Sequence, residues 1–69
     1  GLAGYAQHYG LSARETEVLR MVLEGKDNQN IAGELSLAAS TVKVHVHNIL
    51  KKTAQANRQE LMRDFRKMS

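Results

Sequence analysis

Residues 40–52 have the hydrophobic period of an amphipathic α-helix, and this pattern limits most strongly how the chain can fold. At about 100° per residue, Val46 and Ile49 fall within about 40° of Val42 on a helical wheel. Three apolar side chains on one side predict a buried stripe. We therefore expect the segment from Ser40 to Lys52 to pack as a helix against the rest of the chain.

The outward face of the same helix combines basic side chains with one apolar residue. Lys43, His47 and Lys51 lie in a row on this face, and Val44 lies among them. Burial in the fold does not explain a valine there. In a DNA major groove, a lysine can donate to guanine acceptors while a small apolar side chain packs on a thymine methyl group. The pattern indicates a DNA-binding face, with a solvated basic surface as the alternative.

Charge is divided unevenly along the chain. Residues 1–40 carry three basic and five acidic side chains, a net charge of −2. Residues 41–69 carry seven basic and two acidic side chains, a net charge of +5. A basic half of this kind is typical of a domain that faces nucleic acid.

The length and composition indicate one small domain whose function lies at its surface. The chain has 69 residues, with no cysteine, proline or tryptophan. A domain of this size buries only roughly 60% of its unfolded surface, which leaves no room for an enclosed active site. No arrangement of nucleophile, base and orienting group is recognisable, so we expect neither an enzyme nor a cofactor. Without a long apolar run or a signal peptide, we expect a cytoplasmic protein that makes no membrane contact through this domain.

Helix start and stop signals divide residues 11–69 into four helices. Ser12 and Glu15 have the spacing of a capping box, and Gly25 ends that helix. Asp27 or Asn28 caps a second helix that extends to residue 35, and a turn over residues 36–39 leads to the helix described above. A second capping box, formed by residues 57 and 60, opens the last helix. Residues 1–10 contain three glycines and are interpreted as a linker or N-terminal extension, in which Tyr5 and Tyr9 are candidates to fold back on the domain.

Several pieces of the chain, taken together, resemble one family. The pieces are RETEVL with Glu15, the helix-ending Gly25, the pair Ile31 and Ala32, TVKVH from Thr41, and NRQEL from Asn57. Over residues 11–61 the chain is similar to the DNA-binding domain of LuxR-type transcription regulators. The joint pattern is specific, although each short piece alone occurs by chance in helical proteins.

The resemblance implies an all-α, four-helix domain with a helix-turn-helix over roughly residues 28–47. Its third helix would lie in the major groove of double-stranded DNA, with Lys43, Val44 and His47 at base-reading positions. Contacts to the DNA backbone are expected from a larger set of residues: Asn28, Gln29, Thr41, His45, Asn48, Lys51 and Arg58. For His45 the alternative is packing beside the core, and for Arg58 it is bracing of the last helix.

The same resemblance implies a homodimer, formed through the last helix or on DNA. Met62, Phe65 and Met68 are the candidates for that interface, and their burial in the core is the alternative. A metal site at His45 and His47 is not expected, because residues two apart on a helix point about 200° apart.

Two other functions are alternatives to DNA binding. One is a helical module that docks on RNA polymerase or another regulator through the same basic helix. The other is a domain related to the promoter-recognising region of sigma factors, which would not combine the TVKVH and NRQEL pieces.

Three positions depart from the family pattern. Ala38 stands where a serine or threonine usually caps the recognition helix, so we expect Ser40 or Thr41 to cap it later. Thr53 and Gln55 occupy positions that are usually apolar in the family. We therefore expect the packing between the last two helices to differ from the family pattern. His47 replaces a longer basic residue, and because histidine changes charge near neutral pH, its contact would be weaker or pH-dependent.

Overall fold

The structure is a computed structural model that describes residues 1–68. Over these residues it contains helices and no strand, which confirms the expected all-α class. The four expected helices are present, and a further helix precedes them. The helices are α1 (Leu2–Tyr9), α2 (Ala13–Leu23), α3 (Asn28–Leu35), α4 (Ala39–Thr53) and α5 (Arg58–Met68).

The capping signals of α2 form as predicted. The Ser12 hydroxyl oxygen accepts from the Glu15 amide at 3.1 Å, and a Glu15 carboxylate oxygen accepts from the Ser12 amide at 2.9 Å. Each side chain thus satisfies a backbone donor that has no partner within the helix. Gly25 follows the helix with φ of 85°, a left-handed conformation that glycine adopts without steric cost.

Helix α3 is capped by Asp27, one of the two candidates. Its carboxylate accepts from the Asn30 amide at 2.8 Å. The helix ends at Ser36, which has φ of 55°, and the Leu37 amide then donates to the Ala32 carbonyl at 2.9 Å. This tight reversal places α4 across α3, as a helix-turn-helix requires.

Helix α4 begins earlier than the capping signals predict. Ala38 is its N-cap residue, and no side chain caps the first turn. The expectation that Ser40 or Thr41 caps the helix was therefore wrong, since both lie within it. The Ala38 carbonyl accepts from the Thr41 and Val42 amides at 3.0 and 3.1 Å, and Val42 is fully buried. Packing of the helix against the core thus replaces side-chain capping as the source of its stability.

Helix α1 lies in the stretch interpreted as a linker or N-terminal extension, and its Tyr5 folds back on the domain. Tyr5 is 4% exposed and belongs to the core. Its ring meets that of Phe65 edge-on at a centroid distance of 5.2 Å, and its hydroxyl donates to Asp64 at 2.7 Å. These contacts come from residues far away in the sequence, so the local pattern of residues 1–10 does not reveal them.

The core lies where α2 and α3 pack against α4, with α5 closing it. All three residues of the predicted stripe of α4 are buried. Thr53 is also buried, and its hydroxyl donates to the Ile49 carbonyl at 2.8 Å. Because this bond satisfies the hydroxyl within its own helix, Thr53 fits a position that is usually apolar in the family. The Gln55 side chain stays at the helix end and donates to the Thr53 carbonyl at 3.1 Å.

Candidate nucleic-acid interface

The outward face of α4 is exposed at every position predicted to read bases. Lys43, Val44 and His47 are all exposed, and Lys51 continues the row one turn further on. Val44 is 56% exposed, which makes it one of only two large apolar side chains on the surface of residues 1–68. The buried stripe fixes the rotation of the helix, so this face must point away from the core.

Within residues 1–68, the basic side chains of this face have no partner. Among residues 1–68, the ammonium groups of Lys43 and Lys51 form neither an ion pair nor a hydrogen bond. By contrast, Lys26 and Lys52 each contact a carboxylate of another helix. Lys43 and Lys51 thus leave their ammonium groups available for an external anion, whereas Lys26 and Lys52 form contacts within the domain.

Lys52 ties the last turn of α4 to the start of α2. Its ammonium group lies 2.7 Å from a carboxylate oxygen of Glu15 and 3.3 Å from the Gly10 carbonyl. Burial of Glu15 opposes its charged form, but hydrogen bonds from Lys52 and the Ser12 amide prevail and lower the pKa of the Glu15 carboxyl. Sequence reasoning assigned Glu15 to capping alone. The lysine contact spans 37 residues and has no local signal.

Lys26 holds the loop between α2 and α3. Its ammonium group lies 2.5 Å from Glu34 and 3.3 Å from Glu24. The hydrogen bond to Glu34 is the main reason that the pKa of Lys26 is raised. Since Glu34 is on α3, this pair fixes the approach of α3 to the helix that precedes it.

Arg58, at the start of α5, contacts the same loop. One guanidinium nitrogen donates to the Lys26 carbonyl at 3.2 Å, and the other donates to the side-chain oxygen of Asn28. Both Arg58 and Asn28 are half-buried. The structure therefore places Arg58 as a brace between α5 and the start of α3, one of the two roles expected of it.

The other residues expected to contact the DNA backbone surround the exposed face. Thr41 lies exposed in the first turn of α4, and Gln29 is exposed in the first turn of α3. His45 and Asn48 are half-buried at the border between the exposed face and the core. Neither side chain has a hydrogen bond within residues 1–68, so both keep polar atoms available at the edge of the face.

The apolar face of α5 is partly covered by α1. Phe65 contacts Tyr5, and the sulfur of Met68 lies 3.4 Å from the Tyr9 hydroxyl. Met62 and Phe65 are half-buried, and Met68 is 47% exposed. The three candidates for a dimer interface thus lie on a face that α1 already shares.

Residues 1–68 hold neither a cluster of metal ligands nor a membrane-spanning helix. No group of three or more histidine, cysteine, aspartate or glutamate side chains is placed to hold a metal ion there. None of the helices in this part of the chain has the length and apolar character needed to cross a membrane.

Two known proteins similar to this chain are a response regulator and a transcriptional regulator. The chain is 47% identical over 58 residues to the response regulator protein TmoT of Ectopseudomonas mendocina. These 58 residues cover 84% of the chain and 26% of TmoT. It is 40% identical over 58 residues to the HTH-type transcriptional regulator MalT of Serratia proteamaculans (strain 568), covering 84% of the chain and 6% of MalT. The chain therefore spans about a quarter or less of the length of these relatives.

No solved structure matches the chain. The family described as bacterial regulatory proteins, luxR family, matches residues 9–65, which include α2, α3, α4 and most of α5. Because this match extends over more than half of the chain, the chain belongs to the LuxR family of bacterial regulatory proteins and carries its helix-turn-helix domain.

Proposed function

We propose that this domain binds double-stranded DNA in a sequence-specific manner, with α4 in the major groove. The observation that carries the proposal is Val44, an apolar side chain 56% exposed on the same face as two lysines whose ammonium groups have no partner within residues 1–68. A phosphate-binding surface alone needs no apolar residue at its centre. A base-reading surface uses one against a thymine methyl group.

Three residues are proposed to read bases, each by a different chemistry. Lys43 donates to guanine acceptors, and Val44 packs against a thymine methyl group. His47 lies one turn further along α4, where its ring either donates or accepts a hydrogen bond at a base edge. Since an imidazole is shorter than a lysine or arginine side chain, His47 should give this protein a base preference unlike that of its relatives.

A second group of residues is proposed to hold the DNA backbone. Lys51 contributes charge at the exposed end of the row, and Thr41 donates from the first turn of α4. The half-buried side chains at the edge of the face, His45 and Asn48, and exposed Gln29 on α3 complete this group. Contacts of this kind fix the register of the helix in the groove and carry no base sequence.

We propose further that the domain is the C-terminal output domain of a bacterial transcription regulator. The names of the two relatives, a response regulator and a transcriptional regulator, support this role. In a regulator of this kind the upstream part would sense the signal, and the present domain would deliver it to a promoter.

Selection of bound duplexes from a random library, followed by affinity measurements, tests the proposal. Lys43→Ala and Val44→Ala should each weaken binding to the selected duplex by about 1–3 kcal/mol and weaken binding to a shuffled duplex far less. Lys51→Ala is the matched control, because it removes the same charge from the same helix. It should weaken both duplexes alike and reduce the salt dependence by about one counterion.

Two results would contradict the proposal. Equal losses on both duplexes for Lys43→Ala and Val44→Ala would show that these residues do not read bases. Binding that is unchanged between about 50 and 200 mM salt would exclude a phosphate-contacting interface. The second result would favour a module that docks on RNA polymerase or another regulator.

We also propose that pairing of this domain is weak unless DNA or other parts of the protein assist it. Met62, Phe65 and Met68 offer a small apolar face, and α1 already covers part of it. Sedimentation should show a monomer over a wide concentration range. A dimer that persists at low concentration would contradict this expectation.

A further inference from the structure

The hydrogen bond between Arg58 and Asn28 determines the orientation of the Asn28 amide. A guanidinium group has donors only, so it must meet the side-chain oxygen of Asn28 and not the NH₂ group. The second donor of Arg58 is bound to the Lys26 carbonyl at 3.2 Å, which fixes the plane of the guanidinium. The side chain of Asn28 is thereby oriented by Arg58, which also binds the Lys26 carbonyl.

The NH₂ group of Asn28 is left without an acceptor in the described part of the chain. No hydrogen bond from this group is present within residues 1–68, and the residue is only half-buried. Asn28 is the first residue of α3, which packs against α4. Two oriented donors thus stand on the helix that crosses behind the proposed recognition helix, where a duplex in contact with α4 would bring its backbone.

We propose that the side-chain NH₂ group of Asn28 donates to a DNA phosphate oxygen. Arg58 is then a positioning residue, which acts on the DNA contact through Asn28. The inference rests on the proposed function, since it needs a duplex against α4. It assigns different roles to two residues that the family resemblance places together at the DNA backbone. Arg58 donates its hydrogen bonds to groups within the protein, and Asn28 makes the contact with the DNA phosphate.

A charged and a neutral donor can be distinguished by salt. An arginine that neutralises a phosphate displaces a counterion and contributes about 0.9 to the slope of log affinity against log salt. A neutral amide adds a hydrogen bond without displacing a counterion. Loss of Arg58 should therefore lower the affinity and leave the slope unchanged.

The test is a double-mutant cycle of Asn28→Ala and Arg58→Ala, measured by fluorescence anisotropy at several salt concentrations. The labelled probes are a duplex selected by the wild-type protein and a shuffled duplex of the same composition. Each single variant should bind both probes roughly tenfold more weakly, the effect of losing one hydrogen bond to a charged acceptor. The double variant should also lose roughly tenfold, because both changes remove the same contact.

Asn28→Asp separates contact with DNA from support of the fold. An aspartate keeps an acceptor for Arg58, so the thermal midpoint should equal or exceed that of Asn28→Ala. It cannot donate, and it repels phosphate, so DNA binding should be weaker than that of Asn28→Ala. Arg63→Ala is the control for loss of an arginine from α5, since Arg63 is exposed and contacts Glu60 of its own helix. Arg63→Ala should bind both probes with the affinity of the wild-type protein.

Three outcomes would overturn the inference. One is a salt slope lowered by about 0.9 in Arg58→Ala, and another is an additive loss of roughly a hundredfold in the double variant. Both would show that Arg58 itself touches phosphate. The third is an Asn28→Asp variant that binds as tightly as the wild type. A wild-type protein that binds selected and shuffled duplexes equally would contradict only the proposed sequence-specific function, because a phosphate contact is measurable on either probe.

Discussion

Replacing Ala38 by serine should stabilise the domain, because the first turn of α4 lacks a side-chain cap. Ala38 has φ of −72° and ψ of 147°. The corresponding angles are −71° and 168° at Ser12 and −84° and 173° at Asp27, the two residues whose side chains cap α2 and α3. A serine at position 38 would thus find a suitable backbone and place its oxygen near the Thr41 amide.

The magnitude follows from the cost of the reverse change. Serine-to-alanine substitution at an N-cap costs about 1 kcal/mol, so Ala38→Ser should raise the free energy of unfolding by about that amount. In a domain of 60–100 residues, 1 kcal/mol raises the thermal midpoint by roughly 4–8 °C. Thermal unfolding followed by circular dichroism measures this shift. Hydrogen exchange should also slow at the Thr41 amide, from which the new hydroxyl oxygen would accept a hydrogen bond.

Ala39→Ser is the matched control, since it places the same hydroxyl one residue further along, inside the helix. There the side chain is not at the N-cap, and the midpoint should stay constant or fall slightly because serine is a weaker helix former. Equal midpoints for Ala38→Ser, Ala39→Ser and the wild type would refute the reasoning. They would show that the first turn of α4 gains nothing from a side-chain acceptor.

Three further predictions concern the rest of the scaffold. Ala54 ends α4 with φ of 57°, so Ala54→Gly should remove left-handed strain and raise stability by about 0.5–1 kcal/mol in urea unfolding, and a loss would contradict this. The pKa of the Glu15 carboxyl is lowered in the folded state. Its contribution to stability is therefore present above the pKa of this carboxyl in the unfolded chain, about 4.3, and is lost as the pH falls through the lowered pKa of the folded state. Thermal melts from neutral to acid pH should therefore show a steeper loss for the wild type than for Glu15→Gln, and parallel curves would exclude this contribution. Tyr5→Phe should lower the free energy of unfolding by about 1 kcal/mol and Tyr9→Phe should lower it less, because the two hydroxyls lie 2.7 and 3.3 Å from Asp64. Equal losses in the same unfolding measurement would show that these distances do not govern the strengths of the two bonds.

Signals that act within a few residues were predicted well from the sequence. The reciprocal bonds of Ser12 and Glu15 and the left-handed Gly25 depend only on neighbours along the chain. The helical period likewise determined which side of α4 is buried, and therefore that Lys43 and Val44 are exposed. These features were predictable because each follows from the geometry of one helix.

Features that depend on distant partners were not predictable in the same way. Helix α1 has eight residues, too few for a stable isolated helix, and it is stabilised by contacts with α2 and α5. Nothing near Lys52 in the sequence indicates that its ammonium group meets Glu15. The start of α4 was misplaced because sequence reasoning required a polar cap, whereas burial of Val42 is sufficient to hold the first turn.

The contact between Tyr5 and Asp64 has a consequence for the kinetics of folding. It joins residues 59 positions apart, so most of the chain must be ordered before the bond can form. Contacts of such long sequence separation require closure of a large loop and tend to form late. We therefore expect α1 to dock after α2, α3 and α4 have assembled, and to open first under native conditions. The helix-turn-helix can then remain intact while α1 detaches, so the domain should have two levels of cooperativity in native-state hydrogen exchange.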